Sequence, residues 1–219
     1  MEFADCFPIW DRLTPTQRQT LTGAAAERQV RKGAVLHRGS LNCTGLVVVR
    51  SGQLRAYILS EEGREITIYR LLEGDICLFS ASCVLRSIQF EISVEAERDS
   101  EVWVVPPDVC GALTEASAPM ANFVSDLMAS RFSEVMWLME QIMWRSFDQR
   151  LSEFLLQESA LEGSPVLPIT HERIANHLGS AREVVTRMLR YFQSEGLVEL
   201  SRGHVTLTDE EGLARLCGR

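Results

Sequence analysis

Several things are scarce in this 219-residue chain, and each scarcity removes a class of function. No run of about 18 apolar residues occurs, so no membrane-spanning helix is expected. The N-terminal stretch MEFADCFPIW has neither a basic start nor a long apolar segment, so it does not read as a secretory signal. The six cysteines, at 6, 43, 77, 83, 110 and 217, form no CxxC pair and no zinc-finger spacing. A metal site is not expected, and in the cytoplasm these would be reduced thiols. Histidine is rare, with four in all, and only His37 falls in the strand-rich half, too few for a cupin-type metalloenzyme. No P-loop, dinucleotide fingerprint or nucleophile elbow is present. Basic residues are also in deficit, and the formal charge is −8. That argues against strong non-specific affinity for nucleic acid. The deficit is uneven, because Thr170 to Leu207 holds five Arg against four Glu. Screening limits surface electrostatics to about 10 Å, so a local basic face can still act.

What is present centres on Ile169 to Phe192, ITHERIANHLGSAREVVTRMLRYF. A short amphipathic helix ends at Gly179. After a tight turn, a second helix carries Val185, Met188 and Leu189 on one face, which suits a helix-turn-helix. The other face offers Arg182, Glu183, Thr186, Arg187 and Arg190 for bases and phosphates. Ser180 and Thr170, near helix starts, are further phosphate candidates. Arg at i with Glu at i+1 and Arg at i+5 places guanidinium groups to bind guanine O6 and N7, and a carboxylate to accept from cytosine N4. The competing reading is a solvated face with a Glu183–Arg187 ion pair. Gly196–Leu200 and Val205–Leu207 flank Arg202-Gly203 as a hairpin, the wing of a winged helix. Arg202 and His204 are secondary DNA candidates.

Upstream, Phe7 to Ala26 suggests two short helices, with Thr14-Pro15 as cap and first residue. From Arg28 to Val105, short alternating segments recur at roughly ten-residue spacing, punctuated by Gly33, Gly52, Gly63 and Gly74. That predicts an antiparallel barrel or jelly roll. After Pro106-Pro107, one turn of helix is expected over Asp108–Leu113, then a long helix from Ala118 to about Trp144. Within it Met128, Phe132, Val135, Met139 and Ile142 step by 4, 3, 4 and 3, a heptad seam. It reads as a dimer helix or, alternatively, as an ordinary core helix. Ser146–Ser159 is a further amphipathic helix, a short strand follows near Val166–Ile169, and Asp209–Leu216 is a last helix.

This order resembles the Crp/Fnr family of bacterial transcription regulators. The resemblance is carried by Ser51-Gly52, Gly63, Gly74-Asp75, Arg150-Leu151, Ile174-Ala175, Gly179 and Arg182-Glu183 with Arg187. It implies an α+β chain. Residues 1–117 would be a cyclic-nucleotide-binding-like, cupin-type β jelly roll that senses an effector. Residues 118–145 would be a dimerisation helix, and 146–219 a winged helix-turn-helix. By the same resemblance the chain is a cytoplasmic homodimer that binds double-stranded DNA at a TGTGA-like inverted repeat, and RNA polymerase if it activates.

The effector site departs from the family pattern. Cyclic-nucleotide binders carry Gly-Glu for the ribose and Arg-Ser for the phosphate. Here the first position reads Leu78-Phe79 and the second about Phe90-Glu91, with Arg86-Ser87 out of register. A carboxylate repels phosphate, so cAMP is not expected. An iron–sulfur cluster would need several cysteines near Cys6, and haem would rest on His37 or a Met, so neither is expected. Cys77 and Cys83, with Cys43 as a neighbour, remain as packed thiols, a redox pair or the lining of a pocket for an unknown small molecule. Two other function classes stay open: a thiol-based redox enzyme, and a ligand-binding module without specific DNA binding.

Overall fold

The structure is a computed structural model and describes residues 2–39, 44–77 and 92–218. The chain divides into two compact units, one of residues 1–59 and 68–135, the other of residues 60–67 and 136–219.

The first unit begins with two turns of 3-10 helix, Phe3–Cys6 and Trp10–Arg12, followed by α1, Pro15–Ala24. Thr14 caps α1 by accepting from the Gln17 amide, Gln17 caps back, and Pro15 occupies the first helical position. Strands β1 (Ala26–Val30), β2 (Val35–Arg38), β3 (Leu46–Ser51), β4 (Leu54–Leu59), β5 (Glu65–Leu71), β6 (Ile76–Cys77), β7 (Ile92–Ala96) and β8 (Ser100–Val105) follow. They form two antiparallel sheets in the orders β1-β8-β3-β6 and β2-β7-β4-β5. This is the jelly-roll architecture that the Gly-punctuated strands predict.

Strand β3 is buried without alternation from Leu46 to Val49, and the packing gives the reason. Leu46 and Val48 join Trp103 and Val105 in a cluster with Phe3, Phe7, Leu21, Met120 and Val124 from the helical layer. Their strand neighbours Val47, Val49, Val102 and Val104 point the other way and are buried too. Gly52 ends the β3 edge at φ +91, and a Cβ there would collide with Ser100 Oγ and the Asp99 carbonyl, so the turn admits only glycine.

The second sheet is less expected. Its strands alternate as if one face were solvated, yet Arg55 is 1% exposed. Its cross-strand partner is Glu95, reached by Nε at 2.9 Å, and its guanidinium lies over the Tyr57 ring at 4.3 Å. Glu97 accepts from Gln53 Nε2 at 2.7 Å and from Arg70 Nε at 2.6 Å. Buried charge persists here because each charge meets a partner of opposite sign.

Helix α2 spans Pro107–Ala116, longer than the single turn expected, and is stitched by Thr114 Oγ1 donating to the Cys110 carbonyl at 2.8 Å. Helix α3 runs for 27 residues, Ala118–Trp144.

In the second unit, α4 (Phe147–Glu162) starts at a Ser146/Gln149 capping box and stops at Gly163. Strand β9 covers only Val166–Leu167, because Pro168 has no amide to continue the ladder. Then come α5 (His171–Leu178), α6 (Arg182–Ser194), β10 (Val198–Ser201), β11 (His204–Leu207) and α7 (Glu210–Leu216). The three strands order β10-β11-β9. Leu151, Phe154, Leu155, Ile174, Ala175, Val185, Leu189, Phe192 and Val205 share one core.

Residues 60–67 group with this unit. Ile66 bridges Leu178, and Thr67 Oγ1 lies 2.9 Å from His177 Nδ1. Gly179 closes α5 at φ +63, and a Cβ there would sit 2.9 Å from Ile66 Cδ1. Gly179→Ala therefore incurs left-handed strain and a contact at once. It should lower unfolding stability by about 1–2 kcal/mol, read as a shifted denaturant midpoint at unchanged slope. A midpoint equal to wild type would contradict this.

Candidate DNA-binding site

Helix α6 owes its orientation to its apolar face. Val185, Leu189 and Phe192, at i, i+4 and i+7, are fully buried. Arg182, Glu183, Arg187 and Arg190 consequently stay exposed on the other side. They border one shallow groove, together with half-buried Thr186, of about 430 Å³. The frame that holds α6 is fixed at several points. Thr170 caps α5 by accepting from the Arg173 amide at 3.1 Å. Arg150 Nη1 donates to the Leu178 carbonyl at 3.2 Å, tying α4 to the end of α5. His177 is buried against the Phe154 ring, centroids 5.1 Å apart.

Two details were not legible in the sequence. Thr186 has its hydroxyl engaged internally: it donates to the Arg182 carbonyl at 2.9 Å and lies 2.9 Å from His171 Nδ1. Ala181, not Ser180, is the residue before the first turn of α6, and it supplies no side-chain cap. A second cleft, of about 470 Å³, opens between the starts of α5 and α6 and the β10–β11 turn. Thr170, His171, Glu172, Arg182, Arg202 and His204 line it. His171 is missed by a search for Arg and Lys alone. Its nearness to Thr186 depends on how α5 crosses α6.

In the first unit, a smaller polar cluster lies between β5, β6 and α3. Tyr69 and Cys77 are buried, with Tyr69 Oη 3.9 Å from Cys77 Sγ. Arg131 sits over the Tyr69 ring at 4.4 Å and donates to the Ile76 carbonyl at 3.3 Å. Its Nη1 donates to both Glu134 oxygens at 2.7 and 2.8 Å. Burial, then the adjoining Cys77, pushes the Tyr69 phenol well above its ordinary range, with Arg131 pulling the other way. Cys43 and Cys83 lie outside the described residues, as do Leu78-Phe79, Arg86-Ser87 and Phe90-Glu91. Cys6, Cys110 and Cys217 are buried thiols, and burial raises Cys110 to about 11. Among the described residues no three His, Cys, Asp or Glu gather as a metal site. No helix there is long and apolar enough to cross a membrane.

Along α3, Phe132, Met139 and Ile142 are 65%, 47% and 44% exposed, while Met128 and Val135 are half-buried. Trp137 and Trp144 are exposed as well.

Comparison with known proteins agrees with this architecture. Residues 27–117 match the cyclic nucleotide-binding domain family and residues 149–216 the Crp-like helix-turn-helix domain family. A crp/fnr-family structure from Eubacterium rectale is 54% identical, with a TM-score of 0.97 over 98% of this chain and all of that one. The fumarate and nitrate reduction regulatory protein of Yersinia pestis is 27% identical over 202 residues, 88% of this chain and 78% of the relative. A Crp/Fnr-family regulator from Thermus thermophilus shares the fold at TM-score 0.72 and 21% identity, over 89% of this chain and 99% of that one. The 54% identity over nearly all of both chains places this protein in the Crp/Fnr family of transcriptional regulators.

Proposed function

We propose that the protein is a homodimeric regulator that binds a TGTGA-like inverted repeat and answers to a signal other than cAMP. The observation that carries this is the exposed Arg182–Glu183–Arg187 face on a helix whose opposite side is locked in a core. Arg182 reads a guanine by paired hydrogen bonds, Glu183 accepts from a cytosine, and Arg187 takes a second guanine or a phosphate. Arg190, Ser180 and Thr170 contact backbone. Thr186 serves through its hold on Arg182.

Residues 118–145 pair two copies through Met128, Phe132, Val135, Met139 and Ile142. Residues 1–117 then act as sensor and 146–219 as reader. The effector state shifts the packing of this seam, and with it the separation of the two recognition helices. Only a separation near one DNA turn, about 34 Å, fits both half-sites. The ligand biases this equilibrium only as far as it prefers one state. If the protein activates, the turn 163–165 after α4 is the surface for RNA polymerase; the sequence suggests a loop from Glu158, but α4 runs to Glu162 and buries Glu158 and Ser159. The reading assigns no enzymatic chemistry.

Phe90-Glu91, at about the position where the resemblance implies Arg-Ser for the phosphate, supports a non-nucleotide effector, since a carboxylate there repels phosphate. Cys77, beside Tyr69, and Cys83 with Cys43 are the redox or ligand candidates. If redox is the signal, mild oxidant changes wild-type DNA affinity, and Cys77→Ser or Cys83→Ser abolishes the response. Affinity indifferent to oxidant in all three proteins removes the redox branch. Selection of bound duplexes from a random library tests the whole reading. It should return a palindrome with a guanine-rich half-site, whereas no enriched sequence would overturn it.

A further inference from the structure

We propose that His171 is a phosphate-contacting and positioning residue whose imidazole takes up a proton as duplex DNA enters the cleft between α5, α6 and the β10–β11 turn. This rests on the DNA-binding reading above and adds to it a proton-linked contact.

Satisfying both Thr186 contacts at once selects one histidine tautomer. Thr186 has one hydroxyl hydrogen, and it goes to the Arg182 carbonyl at 2.9 Å. The 2.9 Å contact between Thr186 Oγ1 and His171 Nδ1 then requires Nδ1 to be the donor. Nε2 is left as the basic nitrogen, the one place where the ring can gain a proton. His171 thereby pins Thr186, and through it the first turn of α6, where Arg182 begins the helix.

The charges around the ring explain why the proton arrives with DNA. Arg182 and Arg190 approach from α6, Arg202 and His204 border the cleft from the hairpin turn, and Glu172 is the acidic neighbour on its own helix. Burial, then Arg182 and Arg190, lowers the His171 pKa below 6.5. The free imidazole is therefore neutral near pH 7. A phosphodiester in the cleft offsets the arginines and accepts a hydrogen bond from a protonated Nε2, which favours the imidazolium. The proton comes from solvent, and Nδ1–H keeps its bond to Thr186 throughout.

The sign of the linkage separates binding from folding. A His pKa depressed in the fold makes protonation unfavourable there, so its contribution to stability is lost as pH falls below 6.5. DNA affinity moves the other way and rises on acidification. A gain in binding at lower pH cannot then come from a sturdier fold.

The test measures affinity of the full-length protein for a labelled TGTGA-type duplex between about pH 7.5 and 5.5, at fixed low salt, where backbone contacts dominate. Wild-type affinity should rise as pH falls, by up to about tenfold per unit for each half-site, the limit for one proton, and so up to about a hundredfold per unit for the two-site duplex. His171→Gln keeps a donor for Thr186 but cannot titrate, so it should be pH-independent at the weaker level. His171→Arg should be pH-independent at the tighter level. His204→Gln should keep the wild-type profile. Imidazole nitrogen spectra of the free protein should show the proton on Nδ1 of His171. A pH dependence that survives in His171→Gln, or a proton found on Nε2, would overturn the proposal. Binding by no variant at any pH would instead remove the DNA reading, and the proposal with it.

Discussion

Arg182→Ala weakens binding by about 1–3 kcal/mol for each half-site of the inverted repeat, roughly five- to 150-fold, and relaxes selectivity at one position of each half-site. The side chain is exposed and begins α6, so its loss leaves the buried Val185–Leu189–Phe192 face intact. Helix content and unfolding midpoint should stay at wild type. On random duplex the loss should be small, because a phosphate contact is sequence-blind and a paired guanine contact is not. The effect is doubled in a symmetric dimer, since each half-site loses one such contact. An equal loss on specific and random DNA would demote Arg182 to a backbone contact. The double variant Arg182→Ala with Glu183→Ala should not be additive, because adjacent residues reading adjacent bases share one docking pose.

Phe132→Asp or Met139→Asp dissociates the dimer and lowers affinity for the full repeat by two to four orders of magnitude, the range of avidity lost when linked sites become single ones. The two positions occupy one seam of α3 and are 65% and 47% exposed in the single chain. In a two-fold pair a residue near the axis meets its own copy, so one substitution brings two carboxylates together in an apolar seam. Helix α3 is about 40 Å long at 1.5 Å per residue, longer than one small domain can cover. Trp137→Asp provides the control. At 100° per residue Trp137 lies roughly 140–160° around the helix from these two positions, so its variant should remain dimeric. Sedimentation of the three variants decides this. A monomeric wild type, or a Phe132→Asp variant that sediments as wild type, would remove the seam.

The parts of the fold legible in the sequence are those governed by local chemistry. Thr14-Pro15 starts α1, Gly179 stops α5, and Val185, Leu189 and Phe192 mark the inner face of α6, all within a few residues of chain. What required the structure depends on register or on distant partners. The alternation in β4 and β7 suggests a solvated face, and only the pairing of Arg55 with Glu95 shows how a polar face is buried. The attachment of residues 60–67 to α5 joins segments 110 positions apart, as in Thr67 and His177. Thr186 reads as a surface hydroxyl until His171 is placed beside it. The extent of α2 is hidden in the sequence because Pro106-Pro107 looks like a break, whereas Pro107 opens the helix.

The most direct test of a dimeric, sequence-reading regulator is the affinity of full-length protein, at one fixed salt, for three labelled duplexes: a TGTGA-type inverted repeat, a single half-site and a scrambled control. Binding with two chains per repeat, at least a hundredfold tighter than to the half-site by roughly the avidity expected of linked modules, is the predicted result. Equal affinity for all three duplexes would contradict it.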